Sequence, residues 1–191
     1  APTGTVSILG DTVEHETLTL QIGLQDQDEI DFSSLSYQWF RDDQPIIDGN
    51  LEYLTLTEAD GGARISLELT YTDLKGFTRT VGTSETTVVE LVNDPPSFDL
   101  ATTELSILEN SDTSNILNLA SASDIDTGDT LTYDLAGTDE EHFNIDSVSG
   151  EVRLKAPANF ENKSQYTFSV VVTDAGGLTD TIDVTLNVAD V

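Results

Sequence analysis

Ser66-Leu67-Glu68-Leu69-Thr70-Tyr71 alternates polar and apolar residues without a break, and Thr72-Asp73 completes the run. Strict period two marks a half-buried β-strand, because successive side chains leave opposite faces of a pleated backbone. Thr181-Ile182-Asp183-Val184-Thr185-Leu186 repeats the pattern in the second half. Outward from these, strand-like runs fall at 5–9, 17–24, 35–40, 53–56, 63–72, 77–81 and 86–92. Others follow at 106–108, 116–120, 131–135, 143–145, 151–154, 166–173 and 178–188. Asp48-Gly49-Asn50, Gly61-Gly62, Ser149-Gly150 and Gly176-Gly177 are turn signals between them. About seven short strands per hundred residues, with no helical periodicity, read as an antiparallel β-sandwich in each half. The expected fold class is all-β, two tandem antiparallel β-sandwiches.

The halves meet at Asn93-Asp94-Pro95-Pro96-Ser97-Phe98. Consecutive prolines cannot donate to a ladder and hold the backbone extended, which makes a short, stiff joint. Domains are therefore expected at 1–93 and 94–191. No apolar run approaches the roughly 20 residues of a membrane span, and no signal-peptide pattern opens the chain. Both ends, Ala1-Pro2-Thr3-Gly4 and Val188-Ala189-Asp190-Val191, read as boundaries within something longer.

One acidic arrangement occurs twice. Asp26-Gln27-Asp28 precedes Tyr71-Thr72-Asp73, and Asp124-Ile125-Asp126 precedes Val172-Thr173-Asp174. Asp26 to Asp73 spans 47 positions and Asp124 to Asp174 spans 50. Asp-x-Asp at a strand end puts two carboxylates on one side of a bend, and a later strand brings the third. Clustered carboxylates repel at short range, so a fold that gathers them usually supplies a cation. Oxygen-only donors on flexible loops suit calcium better than zinc or copper. Asp26, Asp28, Asp73, Asp124, Asp126 and Asp174 are thus candidate Ca2+ ligands; solvated loops are the plainer reading. Asp99, Asp112, Asp139, Asp180 and Asp183 are read as surface charge.

Seven Lys plus Arg stand against 36 Asp plus Glu, a formal net charge of −29. Such self-repulsion works against a compact state unless cations offset it, and it argues against nucleic acid as partner. A halophilic surface is compatible with the same composition. Disorder is not, with 37% hydrophobic residues in alternating runs. The chain has no cysteine, so disulfides, thiol catalysis and cysteine-based metal sites are excluded. Metal is the obvious stabiliser for secreted domains of about 100 residues.

Trp39, the single tryptophan, shares a strand face with Tyr37 in Tyr37-Gln38-Trp39-Phe40. A core position is favoured over an aromatic sugar platform. Phe98, Phe143, Phe160 and Phe168 are also read as core, whereas Phe32, Tyr53, Phe77 and Tyr166 are candidate surface aromatics, scattered rather than grouped. Carboxylate pairs can support glycoside hydrolysis, but these sit where a metal would keep both ionised, and such an enzyme needs one protonated. His15 and His142 are solitary, and neither lies in a nucleophile motif. The chain is not expected to be an enzyme.

The second half resembles a cadherin repeat over nearly all of 94–191. The resemblance rests on Leu108-Glu109-Asn110, Asp124-Ile125-Asp126 with Thr127-Gly128-Asp129-Thr130-Leu131-Thr132-Tyr133, and Phe143-Asn144-Ile145-Asp146 before Ser149-Gly150-Glu151-Val152. Asn159-Phe160-Glu161 and Thr173-Asp174-Ala175-Gly176-Gly177 complete it. The first half resembles immunoglobulin-like repeats of large bacterial adhesins exported by type I secretion (the RTX type). It does so through Ser36-Tyr37-Gln38-Trp39-Phe40-Arg41-Asp42, Thr55-Leu56-Thr57-Glu58-Ala59-Asp60 and Ala63-Arg64-Ile65-Ser66. It lacks a convincing x-Glu-x and a Leu-Asp-x-Glu.

The resemblance implies two kinds of calcium position. Linker residues Asn93 and the carbonyl near Pro95 would ligate one ion together with Asp124, Asp126 and Asp174. Glu109, Glu161 and Asp190, with Asn159 beside them, would form the other with the linker that follows. Leu91 stands where the linker's first aspartate belongs, so one ion is expected at this joint. The resemblance further implies a monomeric, secreted, extracellular spacer at the cell surface. It would be stiffened by calcium against neighbouring repeats of the same chain, in a bacterial adhesin serving adhesion and biofilm formation. The alternative is that one domain itself binds a carbohydrate or a cell-surface protein. No membrane insertion is expected.

Overall fold

The computed structural model describes residues 2–99, 104–117 and 121–191. They form two compact units, Ala1–Val92 and Asn93–Val191. Asn93, assigned by sequence to the end of the first domain, belongs to the second unit.

Unit 1 contains β1 (Val6–Leu9), β2 (Thr17–Ile22), β3 (Ile30–Arg41), β4 (Gln44–Pro45), β5 (Leu54–Thr55), β6 (Ile65–Asp73) and β7 (Thr78–Gly82). They build two sheets, ordered β1-β2-β5 and β4-β3-β6-β7. The expected run at 86–92 appears only as single bridges, Val88 to Arg64, Val89 to Gly61 and Glu90 to Val13. Along β6 the alternation holds: Ile65, Leu67, Leu69 and Tyr71 are buried, and Asp73 keeps the same inward parity at the strand's end. On the other face, the hydroxyls of Thr70 and Thr80 pair at 2.9 Å across to β7, a cross-strand contact that helps hold register. The core joins Val6 and Leu18 of one sheet to Trp39 and the β6 residues of the other. Trp39 is fully buried, and its indole N–H donates to the Leu51 carbonyl at 2.9 Å.

Unit 2 contains β8 (Ser97–Phe98), β9 (Glu104–Leu108), β10 (Ala122–Ser123), β11 (Thr132–Ala136), β12 (Phe143–Ile145), β13 (Val152–Leu154), β14 (Gln165–Thr173) and β15 (Thr179–Ala189). The principal sheet is β11-β14-β15-β9, faced by the pairs β12-β13 and β8-β10. β9 runs parallel to β15, unlike the other ladders. Tyr166, Phe168 and Val170 of β14 pack with Val184, Leu186 and Val188 of β15 against Leu117, Phe143, Val152 and Leu154, and Val172, also fully buried, keeps the same parity. Phe143 and Phe168 stack with ring centres 4.2 Å apart. Of the expected strand at 116–120, Leu117 bridges Val152; residues 118–120 lie outside those described.

Three sequence expectations change. Phe160 is 36% exposed, not core, whereas Tyr166 is buried and not a surface aromatic. Asp139 is buried rather than surface charge. It accepts the Thr167 N–H at 2.8 Å and pairs with the Lys163 ammonium. The reason is common to all three: parity on a strand, or a loop's fold-back, decides burial, and composition does not report it. All strands are accounted for without an α-helix among the described residues. No helix there is long and apolar enough to cross a membrane.

Candidate metal centre

The inward parity of β14 runs out at Val172, and Asp174 is the next residue on that face, so the strand delivers a carboxylate to the rim of the core. Asp174 is 6% exposed. One oxygen accepts the Leu178 N–H at 2.7 Å, and the other accepts the Asn93 side-chain amide at 2.8 Å. Burial works against ionisation here, but the Asn93 amide and the N–H groups of Leu178, Gly177 and Gly176 outweigh it and hold the carboxyl below its usual range. Gly176 makes the Asn93 contact possible. A Cβ at this position would lie 2.1 Å from the Asn93 side-chain oxygen.

Asp124, Asp126 and Asp129 gather with an oxygen each within 4.8 Å of the others, and Asp174, expected with Asp124 and Asp126, is not in that group but is linked to it through Asn93 and Asp94. The Asp126 N–H donates to Asp124 Oδ1 at 3.0 Å, and the Asp129 N–H to the Asp126 carbonyl at 3.1 Å, which curls the loop back on itself. Asp126 Oδ2 accepts the Asp94 N–H at 2.8 Å, tying the entering segment to the cluster. Asp124 Oδ2 and Asp129 Oδ2 are buried with no hydrogen-bond partner. Two like charges 4 Å apart repel by about 1 kcal/mol in water and about 4 kcal/mol near a protein surface. The donor set is all oxygen, negatively charged and partly unsatisfied, which fits a calcium-sized cation. Asp129 was missed by sequence, although Asp-x-Asp-x-x-Asp was there to be counted. Pro95 is exposed.

Glu109, Glu161 and Asp190 are brought together at another part of unit 2, again within 4.8 Å. Glu109 accepts the Phe160 N–H at 3.2 Å and the Val191 N–H at 3.4 Å, and its own N–H donates to the Ala189 carbonyl. Asn159 instead turns its oxygen to the Asn162 N–H at 2.8 Å. Unit 1 has a matching glutamate. The Glu14 N–H donates to the Glu90 carbonyl at 2.8 Å, and its carboxylate accepts the Val92 N–H at 3.4 Å. Val13-Glu14-His15 thus bonds to 90–92 as Leu108-Glu109-Asn110 does to 189–191, a likeness that the sequence around Glu14 does not display. Glu14 is 3% exposed, and its Oε1 has no hydrogen-bond partner.

Asp26, Asp28 and Asp73 also converge within 4.8 Å. Lys75 pairs with Asp28, and Arg79 lies 3.4 Å from an Asp26 oxygen and 3.9 Å from an Asp73 oxygen. The Asp28 N–H, then the Tyr71 hydroxyl and Arg79, hold the Asp26 carboxyl below its usual range against burial. Burial, then the Asp26 carboxylate, pushes the Tyr71 phenol up, and the Asp28 carboxylate does the same to the Lys75 ammonium.

The buried carboxylates of the described residues divide in two. Asp60 has Arg41, Asp73 has Arg79 and Asp139 has Lys163. Glu14 and Asp174 have no lysine or arginine in ion-pair reach among those residues. Exposed aromatics do not gather. Tyr53 borders one groove, with Tyr37 and Leu20, while Phe32 borders another, with Leu24 and Ile30.

Residues 103–189 match the family model described as the cadherin domain. Human protocadherin beta-1 is 33% identical over 158 residues, 79% of this chain and 17% of its own length. The chain thus spans about a sixth of that relative. Among solved structures, extracellular cadherin domains 1–4 of protocadherin gamma B7 align over 98% of this chain and 46% of theirs, with 20% identity and a TM-score of 0.53. The first two extracellular repeats of human mucin-like protocadherin align over 97% and 98%, with 20% identity and a TM-score of 0.50. At that identity the structural likeness speaks for the fold. Residues 103–189 are thus similar to a cadherin domain.

Proposed function

We propose that the chain is a calcium-binding pair of extracellular repeats that acts as a spacer within a cell-surface adhesion protein. Asp124, Asp126, Asp129 and Asp174 would hold one ion, with Asn93 and the carbonyl near Pro95 contributed by the entering segment. The observation that carries this reading is the buried, cation-free Asp174 beside a carboxylate cluster with two unsatisfied buried oxygens. A chain with seven lysines and arginines has placed several of them on other buried acids and none here. Calcium would neutralise the cluster and fasten Asn93 and Asp94 to the end of β14, while Pro95-Pro96 limits the backbone freedom left over. Glu109, Glu161 and Asp190 would hold a second ion. Asp26, Asp28 and Asp73 are less suited to one, because Lys75 and Arg79 already stand among them.

A bacterial adhesin serving biofilm formation has the resemblance of unit 1 and the charge behind it, whereas the relatives named above are animal cadherins. The spacer role does not depend on that choice. Carboxylates held ionised by a metal have no protonated partner with which to cleave a glycoside, which supports a non-enzymatic role. Small-angle X-ray scattering tests the spacer directly. Scattering profiles that differ between calcium and chelator are expected. Profiles indifferent to calcium would sink the stiffening role.

A further inference from the structure

The hairpin Asp73-Leu74-Lys75-Gly76-Phe77 and the hairpin Asp174-Ala175-Gly176-Gly177-Leu178 are built alike. In each the aspartate N–H donates to the carbonyl four residues on at 3.0 Å, and its side chain accepts the N–H of that same residue. Gly76 and Gly177 both sit at positive φ, 86° and 92°. Counted from these aspartates, Lys75 stands where unit 2 has Gly176, and Arg79 where it has Asp180.

We infer that the unit 1 triad carries its counter-charge within the chain, Lys75 and Arg79 taking the place of a metal ion, so that this end of unit 1 is held together without calcium. Arg79 is the more buried of the two. The side chains of Asp26 and Asp73 are fully buried and that of Arg79 is 33% exposed; its guanidinium stands 3.4 Å from an Asp26 oxygen and 3.9 Å from Asp73 Oδ2 as charge pairs without a hydrogen bond, Asp73 Oδ2 and Arg79 Nε having no hydrogen-bond partner. Lys75 is 63% exposed and closes the outer side over Asp28. Tyr71 adds a neutral donor, its hydroxyl 3.0 Å from Asp26. Three carboxylates against two cations leave one net negative charge, whereas Asp124, Asp126, Asp129 and Asp174 face no lysine or arginine among the described residues. A divalent ion entering the triad would have to displace a guanidinium from two buried acids. Two of only seven cations in the chain are spent at this one place. Unit 1 would therefore be permanently set at this end and unit 2 set by calcium.

Isothermal titration with calcium on the intact chain tests this, with the buried Trp39 emission as the check that unit 1 is folded. Asp28→Asn should leave the number of bound ions unchanged; loss of one ion would overturn the inference. Lys75→Gly with Arg79→Gln should gain one ion, at an affinity roughly tenfold or more above any binding there in the parent chain. No gain in a variant with native Trp39 emission would overturn it. Asp124→Asn serves as the control on unit 2. If it loses no ion, the calcium reading of unit 2 fails, while the outcome at Asp28 and Lys75/Arg79 still decides this inference independently.

Discussion

Two hairpins of one design end in opposite electrostatics. In unit 1, Asp73 sits at the inward end of β6 among Lys75, Arg79 and the Tyr71 hydroxyl. In unit 2, Asp174 sits at the inward end of β14 with only neutral donors, the Asn93 amide and backbone N–H groups. The backbone is the same because a strand that buries every second residue must bring its last inward position to the rim of the core, where a polar group can meet solvent or a partner. What that partner is depends on two side chains. On our inference an arginine would make the end autonomous, and a glycine and an aspartate would leave it dependent on something from outside. Buried carboxylates must be compensated, and the difference lies in whether the chain supplies the compensation.

Removing calcium is the largest perturbation. At about 100 times its dissociation constant a ligand contributes roughly 2.7 kcal/mol to the state that binds it. For a domain of this size that corresponds to a shift of about 10–20 °C. Melting followed by circular dichroism should show the unit 2 transition falling by this order in chelator, while the Trp39 fluorescence transition of unit 1 moves much less. Equal shifts in both would erase the contrast. Magnesium should substitute poorly, since it demands near-octahedral geometry and gives up water reluctantly.

Asp126→Asn sharpens the same contrast at one residue. In calcium it should destabilise unit 2 by about 1–3 kcal/mol through lost metal binding. In chelator it should be neutral or stabilising, because it removes one of three mutually repelling carboxylates. Unit 2 should remain folded in excess calcium, since its apolar core does not include that side chain. A variant with unchanged calcium stoichiometry and affinity would remove Asp126 from the ligand set.

Gly176→Ala is smaller. The added Cβ must push the Asn93 side chain aside and so break its hydrogen bond to Asp174. Calcium affinity should fall several-fold, the worth of a single hydrogen bond, and the chelator melting curve should fall slightly as well, because the same hydrogen bond to the buried Asp174 is lost there. The equivalent change in unit 1, Lys75→Ala, should leave calcium binding nearly unaltered.

The smallest effect is at Asp139. Burial raises its affinity for a proton, but Lys163 and the Thr167 N–H prevail and hold the carboxyl below its usual range. A lowered folded value stabilises above the unfolded value, about 3.9, and the contribution is lost as pH falls through the folded value. Lys163→Ala should thus cost under about 1 kcal/mol at neutral pH, given a partly exposed ammonium. Its deficit against the parent chain should shrink as pH drops below about 4. A deficit constant across that range would mean that Lys163 acts through its packing on Tyr166 rather than its charge.

Much of this protein could be read directly from its residues. Period two along 66–71 and 181–186 selects strands, because only a pleated chain sends those apolar side chains to one side. The recurrence of Asp-x-Asp before Thr-Asp at near-equal spacing marks the acidic ends, because local loop geometry and strand parity are short-range properties. Burial of Asp139 and Tyr166 and exposure of Phe160 were not legible, since each depends on what another segment lays over it. Asp129 joins its cluster only through a loop's curl, and Glu14 meets the segment at 90–92 only through a parallel bridge made across 77 positions, Val13 to Glu90. Tertiary structure also decides which charges meet. Lys75 and Arg79 look like two ordinary basic residues in an acidic chain until the β6-β7 hairpin brings them onto Asp26, Asp28 and Asp73. The physical reason is range: alternation and turns act between neighbours, while compensation of a buried charge depends on distances of a few ångströms between residues far apart in sequence.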